Sequence, residues 1–299
     1  MKPVKTLATH NGIFHADELF AVAILKLIYP NIKIIRTRDK GQLKKVDIRV
    51  DVGRNYNTAT NDFDHHQDDF SLQRNGIPYA SAGLIWKHFG KQLVNSDEAF
   101  EYIDKKIMWS IDAADNGIQI STANNVEPYT IQKIIDLFNP HWKEKTPDYN
   151  KAFHDILKII ITILRKEIIA ANSIQEANKL INKAIAQARK QNKKYIILEQ
   201  YVPRWKEILC NEQDMFFVVY QNPDGNWCVH TIPISKDSFE SKKLLPQEWA
   251  DCTDDKFTKL TGVKDAYFCH KARFIACARS KNGVIALAEM AVKLTDKYL

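Results

Sequence analysis

In residues 4–28 the chain reads VKTLATHNGIFHADELFAVAILKLI, and its apolar pattern changes halfway along. Val4 to Ala8 is a strand-like run. From Leu19 to Ile28, apolar side chains recur at helical spacing behind Asp17, a residue type that often begins a helix. The segment from His10 to Glu18 therefore lies between a predicted strand and a predicted helix.

Two further strand-like runs follow, from Ile32 to Arg36 and from Val46 to Val52. Strands that alternate with helices in this order predict a parallel α/β sheet. In such sheets ligands bind outside the carboxyl ends of the strands, where loops converge and helix N-termini offer unpaired N–H groups. We therefore expect the functional side chains at these strand ends.

More helices are predicted beyond this sheet, from Ser81 to Phe89 and from Ala99 to Ile111. The polar segment 139–147 contains two prolines and suits a domain boundary. Tyr149 to Gln191 is predicted to be a long helical region that is broken near residue 172.

Strand-like runs resume at Tyr195 to Glu199, Met215 to Tyr220 and Trp227 to Ile232, and they predict an antiparallel sheet. Gly283 to Lys297 is predicted to be a closing helix. The predicted fold class is α/β. We expect a parallel-sheet N-terminal domain, a helical connector and a smaller α+β C-terminal domain, over residues 1–145, 146–194 and 195–299.

The composition is that of a folded globular protein, since 45% of the 299 residues are hydrophobic and 26% are charged. A net charge of +7 favours a polyanionic partner if the positive charge clusters on one face. The most apolar stretch, 156–171, is interrupted by four charged residues, so no membrane span is expected. We expect no signal peptide ahead of the first motif, and the five cysteines form no CxxC pair. We therefore expect reduced thiols and a cytoplasmic location.

Side chains that bind metals concentrate in four short segments: His10 to Glu18, Asp51 to Gly53, Asp64 to Gln67, and Asp112 to Gly117. Carboxylates can bridge two divalent ions while imidazoles add nitrogen donors, a mixture that suits Mn²⁺ better than Mg²⁺ alone. We predict a site for two divalent metal ions, with Mn²⁺ favoured and Mg²⁺ as the alternative.

Each segment also has an ordinary structural explanation. Asp17 could simply cap a helix, a lone histidine is more often hydrogen-bonded in a core, and Asp64 to His66 could be a polar turn. Four such segments at predicted strand ends or helix starts are better explained together by a metal centre. Two ions about 3.5–4 Å apart would suit phosphodiester hydrolysis, because they generate hydroxide and stabilise charge on the phosphoryl oxygens.

Asp64-His65-His66 resembles the motif of the DHH phosphoesterases, a superfamily that includes RecJ-like exonucleases and family II pyrophosphatases. A closer resemblance, to the melanocyte-proliferating-gene (Myg) exonuclease family, extends over nearly the whole chain. It is carried by segments 9–18, 50–53, 63–67, 79–84, 111–117, 245–249 and 268–275.

The resemblance implies a metal-dependent hydrolase, a 3′–5′ exonuclease that acts on RNA or short oligonucleotides. Asp51 would bridge the two ions, and His65 or His66 would complete the shell. Asp64 would orient the imidazoles or bind metal directly. The fourth motif leaves the choice between Asp112 and Asp115 open. The implied metal-binding and catalytic residues are His10, His15, Asp17, Asp51, Asp64, His65, His66, Asp112 and Asp115.

In the C-terminal domain the resemblance implies that His270 contacts substrate and that Arg273 assists it. The family pattern continues into two glycines where this chain has Ala276 and Cys277. This departure keeps open a metal-stabilised binding protein without turnover. A further alternative is a small-molecule phosphohydrolase that acts on pyrophosphate or a bisphosphonucleoside. The expected partner is nucleic acid, with no membrane association, and the sequence leaves the oligomeric state open.

Overall fold

The computed structural model describes residues 4–119 and 128–294, which form two compact units, Met1–Ser173 and Ile174–Leu299. The division falls inside the predicted helical connector, so the domain bounds at 146 and 194 stay predictions. Within the two described ranges, no helix is long and apolar enough to cross a bilayer.

The first unit combines short strands with helices. Its strands are β1 Thr6–Thr9, β2 Lys33–Arg36, β3 Ile48–Val50, β4 Tyr56–Asn57, β5 Asp62–Phe63, β6 Gln73–Arg74 and β7 Ile77–Pro78. Its helices are α1 Ala16–Ile28, α2 Lys40–Leu43, α3 Ser81–Phe89, α4 Asp97–Ile103, α5 Trp109–Asp115, α6 Ile131–Asp136 and α7 Tyr149–Asn172.

The five-stranded sheet of this unit has the order β2-β1-β3-β5-β4. β1 pairs in parallel with β2 and β3, β3 pairs in parallel with β5, and only β4 runs antiparallel. The predicted α/β sheet is confirmed. Helix α1 packs against α3 and α7, and this cover explains why Ala16 to Leu25 are all buried.

Three neighbouring parallel strands end next to the segments that the sequence singles out. β1 is followed by His10, β3 by Asp51, and β5 by Asp64-His65-His66. Because the carboxyl ends of parallel strands meet at one edge of the sheet, these side chains are brought together there.

The helix predicted from 99 to 111 is longer at both ends. Ser96 caps α4 by accepting a hydrogen bond from Ala99 N, and one wide turn, Asp104–Met108, joins α4 to α5 without interruption. This extension carries the helix to Asp115. The predicted break near residue 172 is confirmed, since α7 ends at Asn172 and the next helix begins at Ile174.

The second unit is built on a five-stranded sheet. Its strands are β8 Tyr195–Leu198, β9 Phe217–Gln221, β10 Trp227–Thr231, β11 Ala266–Cys269 and β12 Ile275–Ala278. Its helices are α8 Ile174–Lys190, α9 Trp205–Leu209, α10 Asp254–Thr261 and α11 Lys281–Lys293. The predicted closing helix is confirmed as α11, and positions 295–297 of that prediction lie outside the described residues.

This sheet has the order β11-β12-β10-β9-β8 and is mixed. The prediction of an antiparallel sheet was wrong for one strand, because β8 pairs with β9 in parallel. Parallel neighbours need a crossover connection, and α9 with its buried Trp205 lies in that connection.

Cys228 and Cys277 form a disulfide between β10 and β12. The two residues face each other in the strand register, which places their Cα atoms 4.1 Å apart. The expectation of reduced thiols was therefore wrong for this pair, while Cys210, Cys252 and Cys269 are free. The cytoplasmic location that rested partly on that expectation stays a prediction.

Candidate metal centre

His10 lies just beyond β1 between two carboxylates. Its Nε2 is 3.0 Å from Glu18 Oε1 and 3.3 Å from Asp51 Oδ2. Arg36 holds the loop that carries His10, because its guanidinium donates to the carbonyl oxygens of His10 and Gly12 at 3.2 and 2.8 Å. The imidazole is 6% exposed and is fixed from both sides.

Glu18 was not among the predicted ligands. Its two carboxylate oxygens accept from His15 N, each at 3.0 Å, which fixes the first turn of α1. The three side chains of His10, His15 and Glu18 form one group whose candidate donor atoms all lie within 4.8 Å of one another. The signal in the sequence that could have identified Glu18 was its position three residues after His15, where a glutamate closes a capping box.

Asp51 follows β3 and has a positive φ of 52°, a left-handed conformation that aspartate tolerates better than most residues. Its two oxygens face different partners. Oδ2 faces His10 at 3.3 Å, whereas Oδ1 faces His66 Nδ1 at 3.3 Å and His65 Nε2 at 3.8 Å. Asp51 is thus shared between two sets of imidazoles, as a bridging carboxylate would be.

Both carboxylate oxygens of Asp64 accept hydrogen bonds. Its Oδ1 lies 2.8 Å from His66 Nδ1 and accepts from His66 N at 3.0 Å, while Oδ2 accepts from Arg54 N at 2.7 Å. Asp64 belongs to none of the ligand groups found among the described residues, whereas Asp51, His65 and His66 form one. Its geometry is that of a residue that orients an imidazole.

A third group consists of Asp17, His65 and Asp115. His65 Nε2 lies 3.1 Å from Asp115 Oδ2. The buried carboxylate of Asp17, a residue of α1, lies against the N-terminus of α3, where its oxygens accept from Ser81 N at 3.0 Å and Ala82 N at 2.6 Å. These helix N-terminal N–H groups stabilise a carboxylate in a buried position.

Asp112, the other candidate of the fourth motif, has a different environment. It is 0% exposed, accepts from Gly83 N at 3.0 Å, and lies 2.8 Å from the Arg74 guanidinium. Arg74 also contacts Asp104 at 3.1 Å and stacks over the Tyr79 ring at 4.1 Å. Asp112 belongs to a buried ion-pair network, and Asp115 alone of the two joins a ligand group among the described residues.

Two imidazoles of this centre, those of His10 and His66, have raised pKa values. Burial opposes the charge on His10, but hydrogen bonds to Asp51 and Glu18 outweigh it and raise the pKa of His10 to about 9. Hydrogen bonds to Asp51 and Asp64 raise the pKa of His66 to about 10. The carboxylates therefore attract positive charge, which a bound cation would supply in place of protons.

Two further observations fit a cation at this place. Burial raises the pKa of Asp17 well above its usual value, and the charges of Asp115 and Asp51 add to the rise. Asp51 Oδ1 and His65 Nε2 are buried and make no hydrogen bond of good geometry. A metal ion would relieve the repulsion and use both atoms.

These groups open onto a cavity of about 1460 Å³. The acidic side of its wall includes Asp17, Asp51 and Asp115, and His10, His15 and His66 also line it. Basic side chains that follow β2 in the sequence also line the cavity: Arg38, Lys40, Lys44, Arg49 and Arg54.

The predicted substrate residues His270 and Arg273 belong to the second unit. His270 Nδ1 accepts from Ala272 N at 3.0 Å, and its ring packs 4.4 Å from Phe274. Arg273 donates to Leu245 O at 3.2 Å. Neither residue belongs to a group of candidate metal ligands among the described residues. Their contact with substrate stays a prediction.

Ala276 and Cys277, which replace the expected glycines, lie inside β12. They pair with Val229 and Cys228 of β10, and both are buried. The two residues are therefore part of the sheet.

A mostly parallel sheet whose strand ends bring imidazoles and carboxylates together defines a candidate metal-binding α/β protein. The chain belongs to the MYG1 exonuclease family, whose model, described as "Uncharacterised protein family (UPF0160)", matches residues 6–292. The resemblance found in the sequence is thereby confirmed.

Curated relatives match along nearly all of the chain. A MYG1 protein of Saccharomyces cerevisiae is 32% identical over 97% of this chain and 96% of its own length. A MYG1 protein of Dictyostelium discoideum is 30% identical over 98% of both chains. A Mus musculus relative named MYG1 exonuclease is 30% identical over 94% of this chain and 83% of its own length.

Proposed function

We propose that this protein is a metal-dependent phosphodiesterase that acts on RNA or short oligonucleotides as a 3′–5′ exonuclease. The observation that carries the proposal is the convergence of three ligand groups at the ends of β1, β3 and β5. The name exonuclease, which the mouse relative carries, supports the same activity.

Two ions would be held by the three groups together. His10, His15 and Glu18 would serve one ion, and His65, Asp17 and Asp115 would serve the other. Asp51 would bridge them, because each of its oxygens faces a different imidazole. The mixture of nitrogen and carboxylate donors favours Mn²⁺, with Mg²⁺ as the alternative.

When bound, the ions supply an acidified water as nucleophile and stabilise negative charge on the phosphoryl oxygens. The protein contributes orientation. Asp64 holds the His66 ring, and the N–H groups of Ser81 and Ala82 fix Asp17. Asp112 acts indirectly. Together with Arg74 it anchors the first turn of α3, the turn that fixes Asp17.

The test is incubation of a 5′-labelled RNA pentamer with the purified protein and Mn²⁺. We expect stepwise shortening from the 3′ end, and no shortening by the Asp51→Asn variant. Asparagine also tolerates the left-handed backbone at this position, so the variant removes the bridging charge while preserving the fold. Intact RNA with folded, metal-loaded protein would contradict the proposal.

Two further substrates extend this assay to the alternatives. Phosphate release from pyrophosphate or a 3′,5′-bisphosphonucleoside, without cleavage of RNA, would identify a small-molecule phosphohydrolase. Stoichiometric Mn²⁺ with no activity on any substrate would identify a metal-stabilised binding protein.

A further inference from the structure

The cavity next to the ligand groups has a basic wall that the metal centre does not use. Five cationic side chains line it, and they follow β2 or lie within or just after β3: Arg38, Lys40, Lys44, Arg49 and Arg54. Three of them, Arg38, Lys40 and Lys44, are exposed and lie in or beside the short helix α2.

Two of the five cations are already paired. Arg49 is bonded to Asp62 and donates to the carbonyl oxygens of Leu43 and Val46. Arg54 pairs with Asp68 at 3.0 Å. Because these carboxylates partly neutralise the two arginines, they would attract an anionic ligand less strongly.

Lys40 and Lys44 have no anionic partner in the part of the chain that the structure describes. Arg38 uses one nitrogen to bond Asn11, the residue after His10, and no acceptor among the described residues faces its other nitrogens. The unpaired positive charge thus begins beside the loop of His10 and continues along α2.

The spacing of the two lysines follows from the helix. Lys40 begins α2 and Lys44 directly follows it, so the two Cα atoms lie about 6 Å apart along the helix axis. Asp39 fixes this turn by accepting from Gln42 N at 2.8 Å. The ammonium groups are therefore carried on a defined backbone rather than on a free loop.

This wall suits a ligand with several phosphates. The metal centre would hold the phosphodiester that is cleaved, which leaves Arg38, Lys40 and Lys44 for further negative charges of the same molecule. Among the described residues, the cavity lining includes no Phe, Tyr or Trp that could serve as a platform for base stacking. Lysines that bind phosphates position a strand without reading its bases.

We propose that Arg38, Lys40 and Lys44 bind the backbone phosphates of a single-stranded oligonucleotide that enters the metal centre. The inference rests on the proposed phosphodiesterase function and names its substrate class. The site then prefers a chain of phosphates, of any base sequence, to an isolated phosphodiester.

The test compares Lys40→Gln/Lys44→Gln with a matched control, Lys179→Gln/Lys183→Gln. The control lysines are exposed on α8, also four positions apart, and their replacement removes the same charge. Arg38 is left in place because its bond to Asn11 also holds the loop next to His10. Metal-dependent cleavage is measured on single-stranded substrates of two to six nucleotides, with bis(p-nitrophenyl) phosphate as the shortest diester.

We expect the loss of kcat/KM in the Lys40/Lys44 variant to grow with the length of the substrate, whereas the control variant follows the wild type at every length. A second readout is binding of a labelled hexanucleotide in Ca²⁺ at several salt concentrations. Removing two phosphate contacts should reduce the log–log salt slope by about 1.4, so the wild type loses about sevenfold more affinity than the variant between 50 and 200 mM salt.

The outcomes separate the two proposals. If no diester of any length is cleaved by the wild type, the proposed function fails. If the wild type cleaves diesters but the Lys40/Lys44 variant loses activity equally at all lengths, or keeps the wild-type salt slope, the phosphate wall is refuted and the metal centre stands.

Discussion

At the scale of single residues, Asp112 and Asp115 lie three positions apart on α5 but have different surroundings. Asp112 is buried against Arg74, and Asp115 faces His65. The sequence could not separate them, because residues three apart share one helix face. The guanidinium that makes their surroundings differ comes from β6, and nothing in the spacing of the motif points to it.

Alanine substitutions of these two residues should affect different properties of the protein. Asp112→Ala should lower the free energy of unfolding by about 3 kcal/mol, because it leaves Arg74 buried with one partner fewer. Asp115→Ala should leave stability nearly unchanged and reduce bound metal and activity. Urea unfolding and metal analysis of both variants check this, and metal loss from a stable Asp112→Ala protein would reverse the assignment.

Metal binding should release protons. In the metal-free protein the pKa of His10 is about 9 and that of His66 about 10, so both imidazoles are protonated at neutral pH. A ligating imidazole must lose a proton, and metal affinity should therefore rise as the pH increases from 6 to 9. Calorimetry in buffers with different ionisation enthalpies should show a net release of protons on metal binding. Affinity that does not change with pH would contradict these assignments.

At the scale of elements, the first turn of α3 is the part of the fold on which the centre depends. Ser81 N and Ala82 N hold Asp17, and the next N–H group, of Gly83, holds Asp112. A Cβ at Gly83 would lie 1.9 Å from Asp112 Oδ2 and 2.8 Å from Arg74. Glycine is needed here for the close approach of two side chains.

Gly83→Ala should therefore lower stability by about 1–3 kcal/mol, since the carboxylate and guanidinium must move. It should also weaken metal binding, because the same turn holds Asp17. Lys87→Ala, an exposed position on the same helix, serves as the control. Thermal melts with and without Mn²⁺ check the prediction, and a Gly83→Ala protein with wild-type stability and metal affinity would disprove it.

The disulfide between β10 and β12 should stabilise the second unit. It closes a chain segment of 49 residues, for which loop entropy predicts about 4 kcal/mol at most. Residual structure in the unfolded chain reduces the entropy that the bond removes, so the measured value should be smaller. Thermal unfolding of Cys228→Ala/Cys277→Ala against wild type tests this. An unchanged melting temperature under non-reducing conditions would show that the bond contributes nothing.

At the scale of the whole molecule, local patterns predicted the element types, while contacts between distant segments decided the rest. The strand–loop–helix unit and the parallel sheet followed from apolar periodicity, and with them the meeting of His10, Asp51 and His65 at one edge. The direction of β8 did not follow, because strand periodicity contains no information about the direction of a neighbour.

Net charge, like strand periodicity, contains no information about spatial arrangement. A net charge of +7 indicated a polyanionic partner but could not place the positive residues. The fold brings Arg38, Lys40 and Lys44 to the wall of the cavity that holds the carboxylates. Glu18 was missed for a related reason, since its contact with His10 depends on where the fold places the loop after β1.

The measurement that tests the metal centre most directly is anomalous diffraction at the manganese absorption edge from crystals grown with Mn²⁺. We expect two peaks about 3.5–4 Å apart, on either side of the Asp51 carboxylate, with the imidazoles of His10 and His65 as ligands. No peak among these side chains, in crystals of a protein shown to bind Mn²⁺ in solution, would contradict the account.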